Sequence, residues 1–116
     1  MFGPRALIDL DAIAENWRMF ARRAAPGQAA GVVKADAYGL GADHVARALL
    51  KTGCKRLYVA WPREGVELRK VIGPGVEIAV FHGPSAESLA DFRTHNLEPV
   101  LNSLEQIDVW SNAGPA

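Results

Sequence analysis

The sequence lacks most of the features that mark specialised classes of protein. Its 116 residues include a single cysteine, Cys54, so no disulfide can form within the chain, as is typical of a reducing compartment. The 13 basic and 13 acidic side chains balance, which does not favour nucleic-acid binding. No apolar run approaches the ~18 residues of a membrane span, and the N-terminus does not resemble a secretory signal. We therefore predict a globular, cytoplasmic protein without a membrane or nucleic-acid partner.

The apolar residues fall into short runs rich in valine, isoleucine and leucine, which alternate with segments of helical spacing. We predict five strands, at residues 6–8, 30–35, 57–60, 78–81 and 99–101. The runs do not alternate strictly between apolar and polar residues, which favours strands covered on both faces, as in parallel sheets. Strands that alternate with helices indicate an α/β protein with a parallel sheet.

The helix ends carry recognisable signals. Asp11 is predicted to be the N-cap of the first helix, on which Trp17 and Phe20 have the spacing of core residues. Ser103 and Gln106 have the spacing of a capping box at the start of the last helix. Each predicted strand is therefore followed by a predicted helix.

Two architectures accommodate these parallel βα units. One is an open, doubly wound sheet, which five strands can complete. The other is the first part of a (β/α)8 barrel of the TIM type, in which about five units are present. A whole barrel needs eight units and roughly 250 residues, so this chain would supply little more than half of one.

Lys34 is the most informative candidate for chemistry. It ends an apolar strand, and ligands of parallel α/β folds bind at the carboxyl ends of the strands. Burial lowers the pKa of a lysine, and a neutral amine can form a Schiff base with an aldehyde. The alternative is a lysine that reaches from a strand end into solvent.

The residues after Lys34 favour a ligand site. Tyr38 lies four positions on and would share a face with Lys34 if the segment coils. Gly39 and Gly41 permit close approach of a ligand to the backbone. The loop leads into a helix whose N-terminal amides could bind an anion. Together these features suit an aldehyde cofactor that bears a phosphate.

The other candidates are weaker. His82 and Trp61 follow predicted strands and would lie near such a site, although each also fits an ordinary loop position. His44 and His95 have helix-surface and helix-end positions, and the histidines and Cys54 show no metal-ligand spacing. We therefore predict no metal site and interpret Cys54 as a small buried hydrophobic residue.

The segment 32–41, Val-Val-Lys-Ala-Asp-Ala-Tyr-Gly-Leu-Gly, resembles the signature of alanine racemases. Residues 5–10, 63–69 and 99–103 also resemble segments of this family. Its members are pyridoxal-phosphate enzymes with an N-terminal (β/α)8 barrel and a C-terminal β domain. The resemblance covers essentially the whole chain but only the first part of the family's sequence. It implies that residues 1–116 are a partial N-terminal barrel domain, with the C-terminal β domain absent.

The resemblance also implies roles for two residues. Lys34 would hold pyridoxal phosphate as a Schiff base and act as one of two acid/base groups at the α-carbon of the substrate. Tyr38 would help to hold the cofactor's phosphate. The second base of the family is a tyrosine from the C-terminal domain of the partner subunit, and Tyr58, a mid-strand residue, is not expected to replace it.

By the same resemblance, the complete enzyme would be a homodimer that converts L-alanine to D-alanine for cell-wall peptidoglycan. The chain alone is expected to be truncated and inactive. Two alternatives stay open, a racemase for another small amino acid and a module that binds or carries pyridoxal phosphate. The continuation Ala-Asp-Ala-Tyr-Gly after Lys34 argues against the carrier module.

Overall fold

The structure, a computed structural model, describes residues 3–112. Its ten elements follow one another in a βα pattern. They are α1 (Leu10–Ala24), β1 (Gly31–Val32), α2 (Lys34–Tyr38), α3 (Ala42–Thr52), β2 (Arg56–Val59), α4 (Pro62–Ile72), β3 (Glu77–Val80), α5 (Leu89–Thr94), β4 (Leu97–Pro99) and α6 (Leu104–Asn112). In these residues no helix is long and apolar enough to cross a membrane.

The strands form one parallel sheet in the order β1-β2-β3-β4. Leu57 in β2 pairs with Gly31 on one side and with Ile78 on the other, and Ile78 pairs in turn with Leu97. This confirms the predicted parallel α/β arrangement. Because all strands run in one direction, their carboxyl ends meet at one edge of the sheet, the carboxyl edge.

All the helices that bury a core pack on one face of the sheet. That face presents alternate strand residues, and α3, α4 and α5 add apolar side chains to them. The principal members of this core are Val33, Val45, Leu49, Leu57, Val59, Leu68, Ile78, Val80, Phe92 and Leu97. Consecutive strand order and one helical face exclude the doubly wound alternative, in which helices cover both faces.

The opposite face of the sheet carries Val32, Arg56 and Tyr58, none of which is buried, and Ala79, which pairs with Tyr58 and is buried. The expectation of strands covered on both faces therefore holds at β3, where residues 78–80 are all buried, and is wrong for β1 and β2. Such a sheet, with helices outside and a second face turned inward, has the layering of a barrel wall.

The predicted first strand does not form. Residues 6–8 have no strand pairing, and Leu7 is 94% exposed. An extended segment is stabilised by hydrogen bonds to a neighbouring strand, and among the described residues no strand lies beside this one. The sheet therefore has four strands instead of five.

The other predicted boundaries hold to within a few residues. The second predicted strand shortens to Gly31–Val32, and the last lies at Leu97–Pro99, two residues early. The N-cap of α1 is Asp9 instead of Asp11, since the Asp9 carboxylate accepts a 3.0 Å bond from Ala12 N. At α6, Ser103 Oγ accepts from Gln106 N at 3.1 Å, as predicted, but the Gln106 side chain accepts from Asn102 N at 2.7 Å, so only half of the predicted capping box is confirmed.

The two aromatic residues of α1 that were predicted to lie in the core differ in burial. Trp17 is half-buried, and its Nε1 donates to Ala29 O at 3.0 Å. Phe20 is exposed, so its predicted packing is wrong. The side of α1 that meets the core runs through Leu10, Ile13 and Trp17, and Phe20 lies away from it.

Candidate functional site

A left-handed turn follows β1 directly. Ala35, Asp36, Ala37 and Tyr38 have φ values of 51°, 54°, 54° and 58°. Left-handed backbone costs an L-residue roughly 1–2 kcal/mol, so four in succession need strong support from their surroundings. The α2 segment is therefore a strained turn and not a conventional helix.

Backbone hydrogen bonds close this turn. Ala37 N donates to Val33 O at 3.0 Å, and Gly41 N donates to Asp36 O at 2.9 Å. The positive φ values continue at Gly39 (87°) and Gly41 (99°), where glycine carries no steric penalty. Ala37 is buried against the core and anchors the turn.

The Asp36 carboxylate ties the turn to α3. Its Oδ1 accepts a 2.8 Å bond from Ala42 N, the first residue of that helix. The N-terminal amides of α3 were expected to be available to a ligand anion. The Ala42 amide is instead bonded to Asp36, a carboxylate within the same motif.

Glu64 ties the turn to the next strand. Its Oε2 accepts a 2.7 Å bond from Ala35 N, and its Oε1 accepts from Ala60 N and Trp61 N, each at 2.9 Å. One carboxylate thus bonds three amides from two neighbouring strand ends. Sequence reasoning missed this residue. Its signal was the capping-box spacing, a glutamate three residues after Trp61, in the first turn of a helix that begins with Pro62.

Lys34 projects from the carboxyl edge towards two aromatic rings. Its Nζ lies 6.0 Å from the centroid of the Tyr38 ring and 5.9 Å from that of Phe81. An ammonium at this distance is attracted by the ring face. The expectation that Lys34 and Tyr38 share a face is confirmed, although the coil has the opposite hand.

The surroundings of Lys34 leave its amine available. The side chain is partly buried, and no carboxylate in residues 3–112 forms an ion pair with it. Tyr38 is 65% exposed. Phe81, the second ring near the amine, stacks against Tyr58 with ring centroids 4.9 Å apart.

Two further predicted candidates lie together along the carboxyl edge. The rings of Trp61 and His82 stack with centroids 3.7 Å apart and an interplanar angle of 9°. His82 Nδ1 lies 2.7 Å from Ala60 O, and since a carbonyl only accepts, this nitrogen is the donor. In the neutral ring, His82 Nε2 is then left as an acceptor.

A second polar cluster occupies the other end of the same sheet face. Arg56 Nη1 lies 2.9 Å from Glu77 Oε2 and 2.7 Å from Glu98 Oε2, and its Nε donates to the Tyr58 hydroxyl at 3.2 Å. The bond with Tyr58 and then the bond with Glu77 raise the pKa of Arg56 above its usual value. The Tyr58 hydroxyl is thus engaged by Arg56.

The remaining candidates show no site chemistry. The side chain of His44 is 67% exposed and lies 3.9 Å from the Asp43 carboxylate. The described residues contain no cluster of potential metal ligands. Cys54 is buried, as predicted, and this burial raises the pKa of its thiol.

A cavity of about 480 Å³ lies between α3 and α4, on the helical side of the sheet. Val33, Val59 and Leu68 contribute its apolar wall, and Glu64 reaches its rim. Neither Lys34 nor Tyr38 lines it. This cavity is therefore distinct from the space in front of the Lys34 amine.

Fold and site together define a class. A parallel sheet of βα units, with helices on one face and a lysine at the carboxyl edge, is part of the wall of a TIM-type barrel. The sequence profile of the alanine racemase N-terminal domain matches residues 8–116. The chain belongs to the alanine racemase family.

Individual relatives agree with this assignment. An alanine racemase of Cereibacter sphaeroides is 50% identical over 101 residues, which are 86% of this chain and 29% of the relative. One of Rickettsia prowazekii is 40% identical over 103 residues, 89% of this chain and 26% of the relative. The chain thus spans less than a third of the length of these relatives.

Solved structures of alanine racemases also resemble the chain, in both backbone and sequence. The alanine racemase of Bartonella henselae, solved with covalently bound pyridoxal phosphate, superposes with a TM-score of 0.86 at 37% identity. The match covers 91% of this chain and 30% of that protein. The enzyme of E. faecalis gives a TM-score of 0.81 at 28% identity, over 91% of this chain and 29% of that protein.

Proposed function

We propose that the chain supplies the lysine-bearing part of a pyridoxal-phosphate-dependent alanine racemase. The observation that carries this proposal is the placement of Lys34. Its amine lies at the carboxyl edge of a barrel-type sheet, beside Tyr38, with no ion-pair partner in residues 3–112. The covalently bound cofactor of the B. henselae relative gives independent support.

The residues at this edge fit the chemistry of the cofactor. A primary amine that is not held in an ion pair can attach to the carbonyl carbon of pyridoxal phosphate with loss of one water. The exposed Tyr38 ring brings a hydroxyl, which donates a hydrogen bond suited to a phosphate oxygen. Lys34 is therefore proposed as the covalent attachment point and Tyr38 as a phosphate contact.

Racemisation then makes a further demand on Lys34. When bound, the cofactor spreads the negative charge that forms at the α-carbon as its proton leaves. Once its nitrogen is released from the cofactor, Lys34 can take that proton, or return one, on a single face of the carbon. Inversion also needs a second acid/base group on the opposite face.

The second group is proposed to come from outside residues 3–112. We do not propose Tyr58 for this role, because its hydroxyl lies against Arg56, at the end of the sheet face opposite to Lys34. A homodimer in which the partner subunit contributes a tyrosine meets the requirement, as the family resemblance implies. The complete cytoplasmic enzyme would convert L-alanine to D-alanine for peptidoglycan, and the chain alone would bind the cofactor without racemising alanine.

The test is covalent labelling of the chain. Pyridoxal phosphate is added, the product is reduced with borohydride, and the modified lysine is identified by mass spectrometry. We expect Lys34 to be labelled selectively and Lys34→Ala to lose the label. Lys70→Ala, which removes an exposed lysine of α4, is the matched control and should label normally. Equal labelling of the chain and of Lys34→Ala would contradict the proposal.

A further inference from the structure

We propose that Glu64 is the positioning residue of the Lys34 site. Its carboxylate binds three backbone amides and thereby fixes the left-handed turn from which Lys34 and Tyr38 project. The inference rests on the proposed function, because a positioning role requires that Lys34 carries the cofactor. Glu64 acts through the backbone and does not itself contact the reacting atoms.

The two oxygens of the Glu64 carboxylate bond different parts of the backbone. Oε1 bonds Ala60 N and Trp61 N, at the end of β2 and the start of α4. Oε2 reaches back to Ala35 N, which is 29 residues away in sequence and directly follows Lys34. A helix cap would explain Oε1, but it would not explain the 2.7 Å bond from Oε2 to Ala35.

The bond to Ala35 falls where the backbone needs support. Ala35 is the first of the four left-handed residues, at φ 51°. Its amide nitrogen is bonded to the carbonyl carbon of Lys34, so it is two bonds away from the Cα that bears the Lys34 side chain. Hydrogen bonds to a charged carboxylate are about twice as strong as those between neutral groups, so this contact opposes relaxation of the turn to right-handed backbone. Without it, the Lys34 amine would lose its fixed relation to Tyr38 and Phe81.

The substitution Glu64→Gln isolates this role. Glutamine keeps the size and shape of the side chain but has one acceptor oxygen, and its amide group cannot accept from an N–H. We expect this oxygen to stay with Ala60 N and Trp61 N, which together supply two bonds close in sequence, so the bond to Ala35 N is the one that is lost. Glu67→Gln is the matched control, because Glu67 lies one turn along α4 with Lys70 as its partner.

The first measurement needs no cofactor. Hydrogen exchange of individual amides is followed by NMR in the chain and in both variants. In Glu64→Gln we expect exchange at Ala35 to accelerate by about tenfold or more, because the local opening becomes easier. Exchange at Leu68, inside α4, should change by less than about twofold, as should exchange at Ala35 in Glu67→Gln. Unchanged protection of Ala35 in Glu64→Gln would overturn the proposal.

The second measurement uses pyridoxal phosphate and borohydride, at a temperature at which circular dichroism shows all variants folded. Glu64→Gln should label Lys34 about tenfold less efficiently than the chain does, and with little preference over Lys70. Selective labelling of Lys34 at the original efficiency would overturn the role of Glu64 and leave the proposed function intact. If the unmodified chain fails to label Lys34, the proposed function fails, and the positioning role fails with it.

Discussion

Two cations on the same face of the sheet have opposite surroundings. Arg56, at the amino-terminal end, is held by the carboxylates of Glu77 and Glu98 and by the Tyr58 hydroxyl. Lys34, at the carboxyl edge, faces two aromatic rings. The carboxylates near Lys34, those of Asp36 and Glu64, are bonded to backbone amides instead.

This difference shows how the chain keeps one amine available for reaction. Around Arg56, side chains of opposite charge satisfy one another, so the cluster serves structure. Around Lys34, the acidic groups are used to hold the backbone, and the amine is left without a counter-ion in residues 3–112. Attraction to a ring face orients an ammonium without holding it as an ion pair would.

The largest expected effect comes from replacing Lys34 with arginine. Lys34→Arg keeps the positive charge and the ring contacts, but a guanidinium stays protonated and does not attach to an aldehyde. Covalent labelling by pyridoxal phosphate and borohydride should fall by more than about 100-fold, with unfolding behaviour unchanged. The converse exchange, Arg56→Lys, should leave labelling of Lys34 intact. Lost labelling in Arg56→Lys would mean that the two clusters are not independent.

The next effect is on stability, at the other end of the sheet. Arg56→Met leaves Glu77 and Glu98 without their shared cation and Tyr58 without its donor. The side chains are partly exposed, so solvent screening limits the loss to about 1–2 kcal/mol in the free energy of unfolding. Urea unfolding at neutral pH measures it. Glu67→Gln, which removes an exposed pair on α4, should cost less than about 0.5 kcal/mol. Equal losses in the two variants would contradict a structural cluster.

A smaller effect is expected at the carboxylate that caps α3. Asp36→Ala removes the acceptor of the Ala42 amide and should cost about 1 kcal/mol, the usual value for a lost cap. Asp43→Ala, in the first turn of the same helix, is the control and should cost less. Chemical denaturation of both variants provides the comparison. A larger loss in Asp43→Ala would place the main capping interaction elsewhere.

The sequence predicts the fold well where local patterns decide it. Apolar runs with helical segments between them led to the parallel sheet, and the Ser103 and Gln106 spacing led to the start of α6. The predicted strand at residues 6–8 is wrong because a strand depends on hydrogen bonds to a neighbouring strand. No local sequence pattern indicates whether such a strand is present. The predicted packing of Phe20 is wrong because helical spacing alone does not indicate which side of a helix contacts the core.

The candidate site also has residues that a local pattern predicts and residues that depend on distant contacts. Lys34 and Tyr38 could be found because they lie within one short motif. Glu64 could not, because its decisive bond joins residues that are 29 positions apart. The left-handed turn was equally hidden, since alanine and tyrosine, which make up three of its four residues, do not favour positive φ. Contacts from the surrounding fold impose that conformation.

The smallest expected effect concerns Cys54, whose thiol is buried in the core, away from both clusters. Burial raises the pKa of this thiol above its usual value of 9.0, because the charged thiolate loses solvation. The folded state thus favours the protonated form. This contribution is complete at lower pH and is lost as the pH rises above 9.0 towards the folded pKa. Stability should therefore fall more steeply between about pH 8.5 and 10 in the chain than in Cys54→Ala, as urea unfolding across that range would measure. Parallel curves would mean that the thiol ionises as readily in the folded chain as in the unfolded one.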